Sequence, residues 1–308
     1  MMNTSDGTTA TYVVLGFDGG WRMRNLLAVA ADEATRRQAG LALVTVSRPA
    51  LDPALNLSGR QAAERRTTIL GHKRLDRAAE TVRSRHPQLP VTTHYLTEDQ
   101  TRAAVHPLGS TQLLVVGTLG EHGREAFSLD STSRLLLKAT GCPVLVVPEP
   151  EPVSVAGRRR PVVVAAVGEH KSDAGVIQAA WSEALRHGWA LELFHTYHDR
   201  REETPAQGLR RAADVVAQAL TTAGVCPGEH GRMLFAQDDP ATALSRLGGQ
   251  AERLVIGSRP GALSGLVVGS VGREMLRSLS CPLLVIPDPV SDRWARPGVP
   301  AGAAHRTD

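Results

Sequence analysis

The sequence predicts an α/β protein built as two tandem domains, each a mostly parallel sheet between helices. Three observations predict it. The segment LLVVGTLGEHG at 113–123 returns as RLVIGSRPGAL at 253–263, and GCPVLVV at 141–147 returns as SCPLLVI at 280–286. Equivalent glycines, Gly117 and Gly257, stand 140 positions apart, and Cys142 and Cys281 stand 139 apart, so one unit occurs twice. Within each unit, short β-branched runs alternate with amphipathic stretches, the pattern of strands whose crossover helices cover both faces of a sheet.

The elements follow in order. Residues 11–17, TYVVLGF, read as a buried strand stopped by Asp18, Gly19 and Gly20. Residues 25–38 space Leu26, Val29, Ala30 and Ala34 as a helix, and Gly40 ends it before a second strand at 41–46. A long charged helix is expected over 61–86, ended by Pro87, then a strand at 91–95, a short helix at 101–108, a strand at 113–116, a helix at 131–139 and a fifth strand at 144–147. The second unit repeats the plan. Its strands fall at 162–167, 190–195, 232–236, 254–256 and 283–286, and its helices at 172–186, 207–223, 240–247 and 270–279. Pro240 after Asp238 and Asp239 suits a first helical turn, where a missing amide proton is harmless. Two separate five-stranded sheets are expected. The domain boundaries read as 1–150 and 161–288, with a Pro-, Glu- and Arg-rich linker at 151–160 and a sparse tail at 289–308.

Composition narrows the function. The 308 residues are 42% hydrophobic, which suits two domains with real cores. A formal charge of +4 from 35 basic and 31 acidic residues is too mild for a nucleic-acid surface. No apolar run approaches the roughly 20 residues that span a bilayer, and the N-terminus lacks a basic head and apolar core, so a cytoplasmic protein without a membrane partner is expected. Three cysteines form no CxxC pair. Cys142 and Cys281 read as small buried hydrophobes at a strand entrance, and Cys226 has no counterpart.

Ligands of an open α/β sheet lie beyond the carboxyl ends of its strands, where the winding reverses. The first strand delivers Asp18 to that edge and the fourth delivers Gly117 to Gly120, whose backbone could approach an anion closely, with Ser131 offering a cap or phosphate-binding hydroxyl. Each feature also has a plain structural reading as a turn or helix cap. Neither a P-loop nor a GxGxxG turn occurs, no nucleophile and base converge, and His195 with His198 lack further grouped ligands, so neither a catalytic centre nor a metal site is expected.

These motifs resemble the universal stress protein family in its tandem two-domain form, over about 11–148 and 161–287. The likeness rests on FDGG at 17–20, CPVLVV at 142–147 and CPLLVI at 281–286. It implies flavodoxin-like (Rossmann-like) sheets of strand order 3-2-1-4-5, joined through their fifth strands as an intramolecular pseudo-dimer, with room for a further homodimer. It also implies a nucleotide site in which a glycine, two residues, a glycine, nine residues, and then a glycine and a hydroxyl follow the fourth strand. In the first half Asp18, Gly117, Gly120 and Ser131 match, while Asp130 replaces the third glycine. In the second half Gly257, Gly269 and Ser270 match, Pro260 replaces the middle glycine, Gly261 stands beside it, and Val167 is read at the place of Asp18. The resemblance implies a stress-response regulator or sensor that binds ATP or AMP weakly or in one half, with magnesium only alongside a triphosphate. A nucleotide-free scaffold or interaction module is the alternative, and a slow ATPase ranks third.

Overall fold

The computed structural model describes residues 11–17, 23–47, 57–97, 100, 110–118, 136, 141–148, 160–170, 172–198, 203–258, 270–277 and 279–287. The helices expected at 101–108 and 131–139 lie almost wholly outside these residues. In the first half, β1 (Thr11–Gly16), α1 (Met23–Arg36), β2 (Gly40–Ser47), α2 (Leu57–Arg85), β3 (Val91–Thr97), β4 (Ser110–Gly117) and β5 (Val144–Val147) follow in turn. The second half runs β6 (Val162–Ala166), α3 (Asp173–His187), β7 (Ala190–Thr196), α4 (Pro205–Ala223), β8 (Gly231–Ala236), α5 (Pro240–Gly248), β9 (Arg253–Gly257), α6 (Ser270–Arg277) and β10 (Leu283–Ile286).

The two five-stranded sheets join through their fifth strands, as the resemblance implies, into one continuous sheet. Ten strands run in the order β3-β2-β1-β4-β5-β10-β9-β6-β7-β8, so each half keeps the 3-2-1-4-5 order and the halves meet edge to edge. All neighbours inside a half are parallel, and β5 with β10 is antiparallel. The reason is an unpaired edge. A fifth strand such as VLVV, buried on both faces, would leave a row of amides and carbonyls unmet if its half stood alone, and the other half's fifth strand satisfies them.

Two apolar layers cover this sheet and both run across the halves. Val13, Leu15 and Leu113 join Val163, Val255 and Leu284 beneath α1, α2, α3 and α4. On the other face Val14, Val144 and Val146 join Val164, Val285 and Leu276 beneath α5 and α6. Alternate residues of each strand enter opposite layers, which is why the strands read as continuous apolar runs. Cys142 and Cys281 are buried in the second layer as expected, and burial pushes the Cys281 thiol up to about 12, which keeps it an unreactive thiol at neutral pH.

The local ends of helices are specified by familiar chemistry. Thr204 and Gln207 form a reciprocal capping box at α4, and the Asp239 carboxylate accepts the Thr242 amide ahead of Pro240 at α5. After α3, Gly188 takes a left-handed φ of 70° so that the chain can turn into β7. Its counterpart after α1 is Gln38, left-handed at 52° with a side chain to accommodate. Gln38→Gly is therefore expected to stabilise the protein by about 0.5 kcal/mol, read as a raised denaturation midpoint at constant m-value.

At the seam between the halves lies a buried cluster of charges. Glu33 of α1 accepts from Arg37 Nε at 3.0 Å and from Arg253 Nη2 at 2.6 Å. Glu183 of α3 accepts from Arg37 Nη2 at 2.6 Å, from Arg186 Nη1 at 2.6 Å and from Arg253 Nη1. His187 Nε2 sits 3.2 Å from Glu33, its ring stacks on Trp189, and Trp189 in turn lies under the Arg253 guanidinium. Arg253, Glu33 and Glu183 are each at most 3% exposed, so the two carboxylates depend on Arg253 together with Arg37 and Arg186 for compensation in a setting that water barely reaches.

Candidate functional site

The first half places β1 between β2 and β4, all parallel, so the winding reverses between β1 and β4 and a crevice opens at their carboxyl ends. The end of β1 is pinned there. The Phe17 amide donates to the Val44 carbonyl at 2.8 Å, and the Thr45 hydroxyl donates to the Phe17 carbonyl. Gly117 ends β4, the neighbour of β1. Thr118 is buried and its amide donates to the Val147 carbonyl at 3.3 Å. The first amide after Gly117 thus belongs to the sheet, and anion donors in this loop have to come from farther along. Asp18, Gly120, Asp130 and Ser131 lie outside the described residues.

The second half repeats the frame and changes what fills it. Val167 donates to the Phe194 carbonyl at 2.8 Å, as Phe17 does to Val44, and His195 Nδ1 bonds the Val167 carbonyl at 2.8 Å where Thr45 bonds Phe17. Val167 is therefore the counterpart of Phe17, and Gly168, not Val167, stands at the place of Asp18. The sequence reading slipped by one because the two strands share no residue that marks their register. His195 is buried in this structural role.

A carboxylate returns to this loop from another position. Asp173, the first residue of α3, accepts the Gly168 amide at 3.0 Å and the His170 amide at 2.9 Å with one oxygen, and it is buried. Burial raises its pKa, against the pull of the amide bond and charge of His170. A Cβ placed on Gly168 would lie 3.2 Å from the His170 ring and 3.6 Å from that same oxygen, so an aspartate like Asp18 would be set beside a carboxylate already in place. The counterpart of Asp173 at the start of α1 is Met23, which has no oxygen to claim loop amides. Sequence inspection passed over Asp173 because an acid in a first helical turn is ordinary on dipole grounds alone.

The start of the second loop is also packed closely by α3. A Cβ on Gly257, the last residue of β9, would meet Val176 at 3.2 Å and the Ser172 hydroxyl at 3.8 Å. Ser258 donates to the Ile286 carbonyl at 2.8 Å, matching Thr118 in the first half. Ser270 begins α6, and Gly261 and Gly269 lie outside the described residues. Away from this edge, one group among the described residues brings metal-type ligand atoms together: Glu33, Glu183 and His187, within 4.8 Å of one another. Its carboxylates are already bound by Arg37 and Arg253, which supply the positive charge a metal would bring.

The family model of the universal stress proteins matches residues 11–148 and 158–287, the two halves described above. The chain belongs to the universal stress protein family. Among curated members, Universal stress protein Rv2623 of Mycobacterium tuberculosis is 27% identical over 293 residues, covering 91% of this chain and 98% of the relative. A universal stress protein of Mycolicibacterium smegmatis is 28% identical over 207 residues, covering 64% of this chain and 69% of its own length. In architecture this universal stress protein is similar to the crystal structure of one from Archaeoglobus fulgidus, with a TM-score of 0.60 at 14% identity over 91% of this chain and 96% of that one. It is likewise similar to one from Pseudomonas aeruginosa, with a TM-score of 0.57 at 20% identity over 91% and 93%. At these identities the solved structures speak for the fold. No helix among the described residues is long and apolar enough to cross a membrane.

Proposed function

We propose that this universal stress protein is a stress-response regulator or sensor that binds an adenine nucleotide in its first half only. The observation that carries the reading is an exchange of acids between equivalent positions. The first half has Asp18 at the edge and Met23 at the start of the following helix, and the second has Gly168 and Asp173. In the second half the carboxylate spends itself on loop amides of its own chain. In the first, Asp18 is left to accept hydrogen bonds from a nucleoside, beside the Gly117–Gly120 turn and Ser131. Gly257, Gly261, Gly269 and Ser270 then form a relic of the same loop, closed from within. A bound triphosphate would bring magnesium with it, which offsets the charge of Asp130.

Calorimetric titration of the intact chain with ATP and with AMP tests the proposal, with the expected stoichiometry one nucleotide per chain. Two per chain would refute the asymmetry. Absence of binding at millimolar nucleotide would instead support a scaffold that works through protein contacts. The whole chain is the right material, since severed halves would expose β5, β10 and the charges of the seam.

A further inference from the structure

The central strand pair has the form of a twofold interface between unlike halves. Leu145 pairs with Leu284, and each is the third residue after its half's cysteine, so equivalent residues face each other at the centre of the seam. Val144 with Val285 and Val146 with Leu283 flank them symmetrically. The helices obey the same relation. Ala39 donates to the Ala34 carbonyl after α1, and Trp189 donates to the Ala184 carbonyl after α3, which makes Glu33 and Glu183 mates. In the sheet, Leu113 pairs with Val13 as Arg253 pairs with Val163, so Leu113 and Arg253 are mates as well.

The acids are thus shared by both halves, and the most deeply buried cation is not. Two guanidiniums, those of Arg253 and Arg37, bridge the mated carboxylates, and the position related to Arg253 holds a buried leucine. Arg37 crosses from the first half to Glu183, while its own mate is His187.

We propose that this seam is a pairing code: a single arginine at the mated positions 113 and 253 marks a first half and a second half as partners and rejects a second half meeting another second half. Two second halves joined through β10 would bring two copies of Arg253, with two of Arg186, to two of Glu183: four guanidiniums on two carboxylates that now share three, those of Arg253, Arg37 and Arg186. The unmatched charge would be buried. Two first halves would bring two Glu33 carboxylates over two leucines, with the less buried Arg37 left as their bridge and nothing in the place of Arg253. The distinction matters because both halves end in the same kind of open edge strand. A chain whose halves each accepted their own kind would be bivalent and would link into open-ended assemblies.

The test moves the arginine across the seam in the intact chain. At the mated positions 113 and 253, Leu113→Arg puts a guanidinium on each side, Arg253→Leu leaves none, and the double variant restores one on the opposite half. Each single variant is expected to lower Tm and, where it folds, to show concentration-dependent mass above that of the wild type in sedimentation. The double variant is expected to melt above both singles by about 5 °C or more, with wild-type mass. Rescue by the double variant when neither single folds supports the code equally. A double variant no more stable than the weaker single overturns it, as does a lowered Tm in folded single variants whose mass stays that of the wild type.

Discussion

Replacing Glu183 by glutamine is expected to lower the unfolding free energy by about 3 kcal/mol, a large share of the stability of an ordinary domain. The shape of the side chain is kept and only its charge is lost. Arg253, 3% exposed, would then share one remaining carboxylate with Arg37, and the freed positive charge has no water to turn to. Urea unfolding of the whole chain measures it. The surface pair of Arg246 and Asp238 is the control: Arg246 is two-thirds exposed, and Arg246→Ala should cost under about 1 kcal/mol. Acid gives a second readout. Burial pushes the Glu33 carboxyl up, but the contact with His187 and the charges of Arg253 and Arg37 outweigh that and hold it well below the usual carboxylate range. A depressed carboxyl stabilises the fold fully above its unfolded pKa, near 4, and loses that contribution as pH falls toward the folded value. Wild type should therefore lose stability progressively below about pH 4, and Glu33→Gln should flatten that slope. An unchanged acid limb in the variant would show that the cluster does not govern it.

Asp18→Ala is expected to weaken adenine nucleotide binding at least tenfold, since a buried hydrogen bond to a nucleoside donor is worth about 1–3 kcal/mol. Gly168→Asp should not create a second site, because Asp173 already holds the amides of that loop and would repel a second carboxylate beside it. Asp130→Gly bears on the same loop in the opposite direction. It removes a negative charge and restores backbone freedom, so triphosphate affinity measured at low salt without magnesium should rise, and AMP affinity should rise less. Equal affinities of wild type and Asp18→Ala for ATP would remove the first half as the nucleotide site.

Much of this was readable from single residues and short spacings. The alternation of strands and helices, the duplication and the β4 and β9 glycines are local or periodic properties, and each survives at its expected place among the described residues. Boundaries moved by a few residues. α2 begins at Leu57, four positions earlier than its apolar spacing indicates, because that first turn is polar and carries no stripe. The edge residue of the second half was misplaced by one position, as strand register is settled by partners in β7 that no local pattern names. Asp173 was invisible as a loop ligand because its function depends on a chain reversal between Gly168 and α3.

By itself the sequence determined a twice-repeated α/β unit, its layers of apolar strands, and the edge at which Asp18 and Gly117 stand. Only the tertiary structure decided the register in which β5 meets β10, that Asp173 closes the second loop, and that Arg253 reaches Glu183 and Glu33 across 70 and 220 positions of chain. The physical reason is range. Periodicity and turn chemistry act over a few residues, whereas the register of β5 on β10 chooses which distant charges are buried together, and a charge is read correctly only once its partner is known.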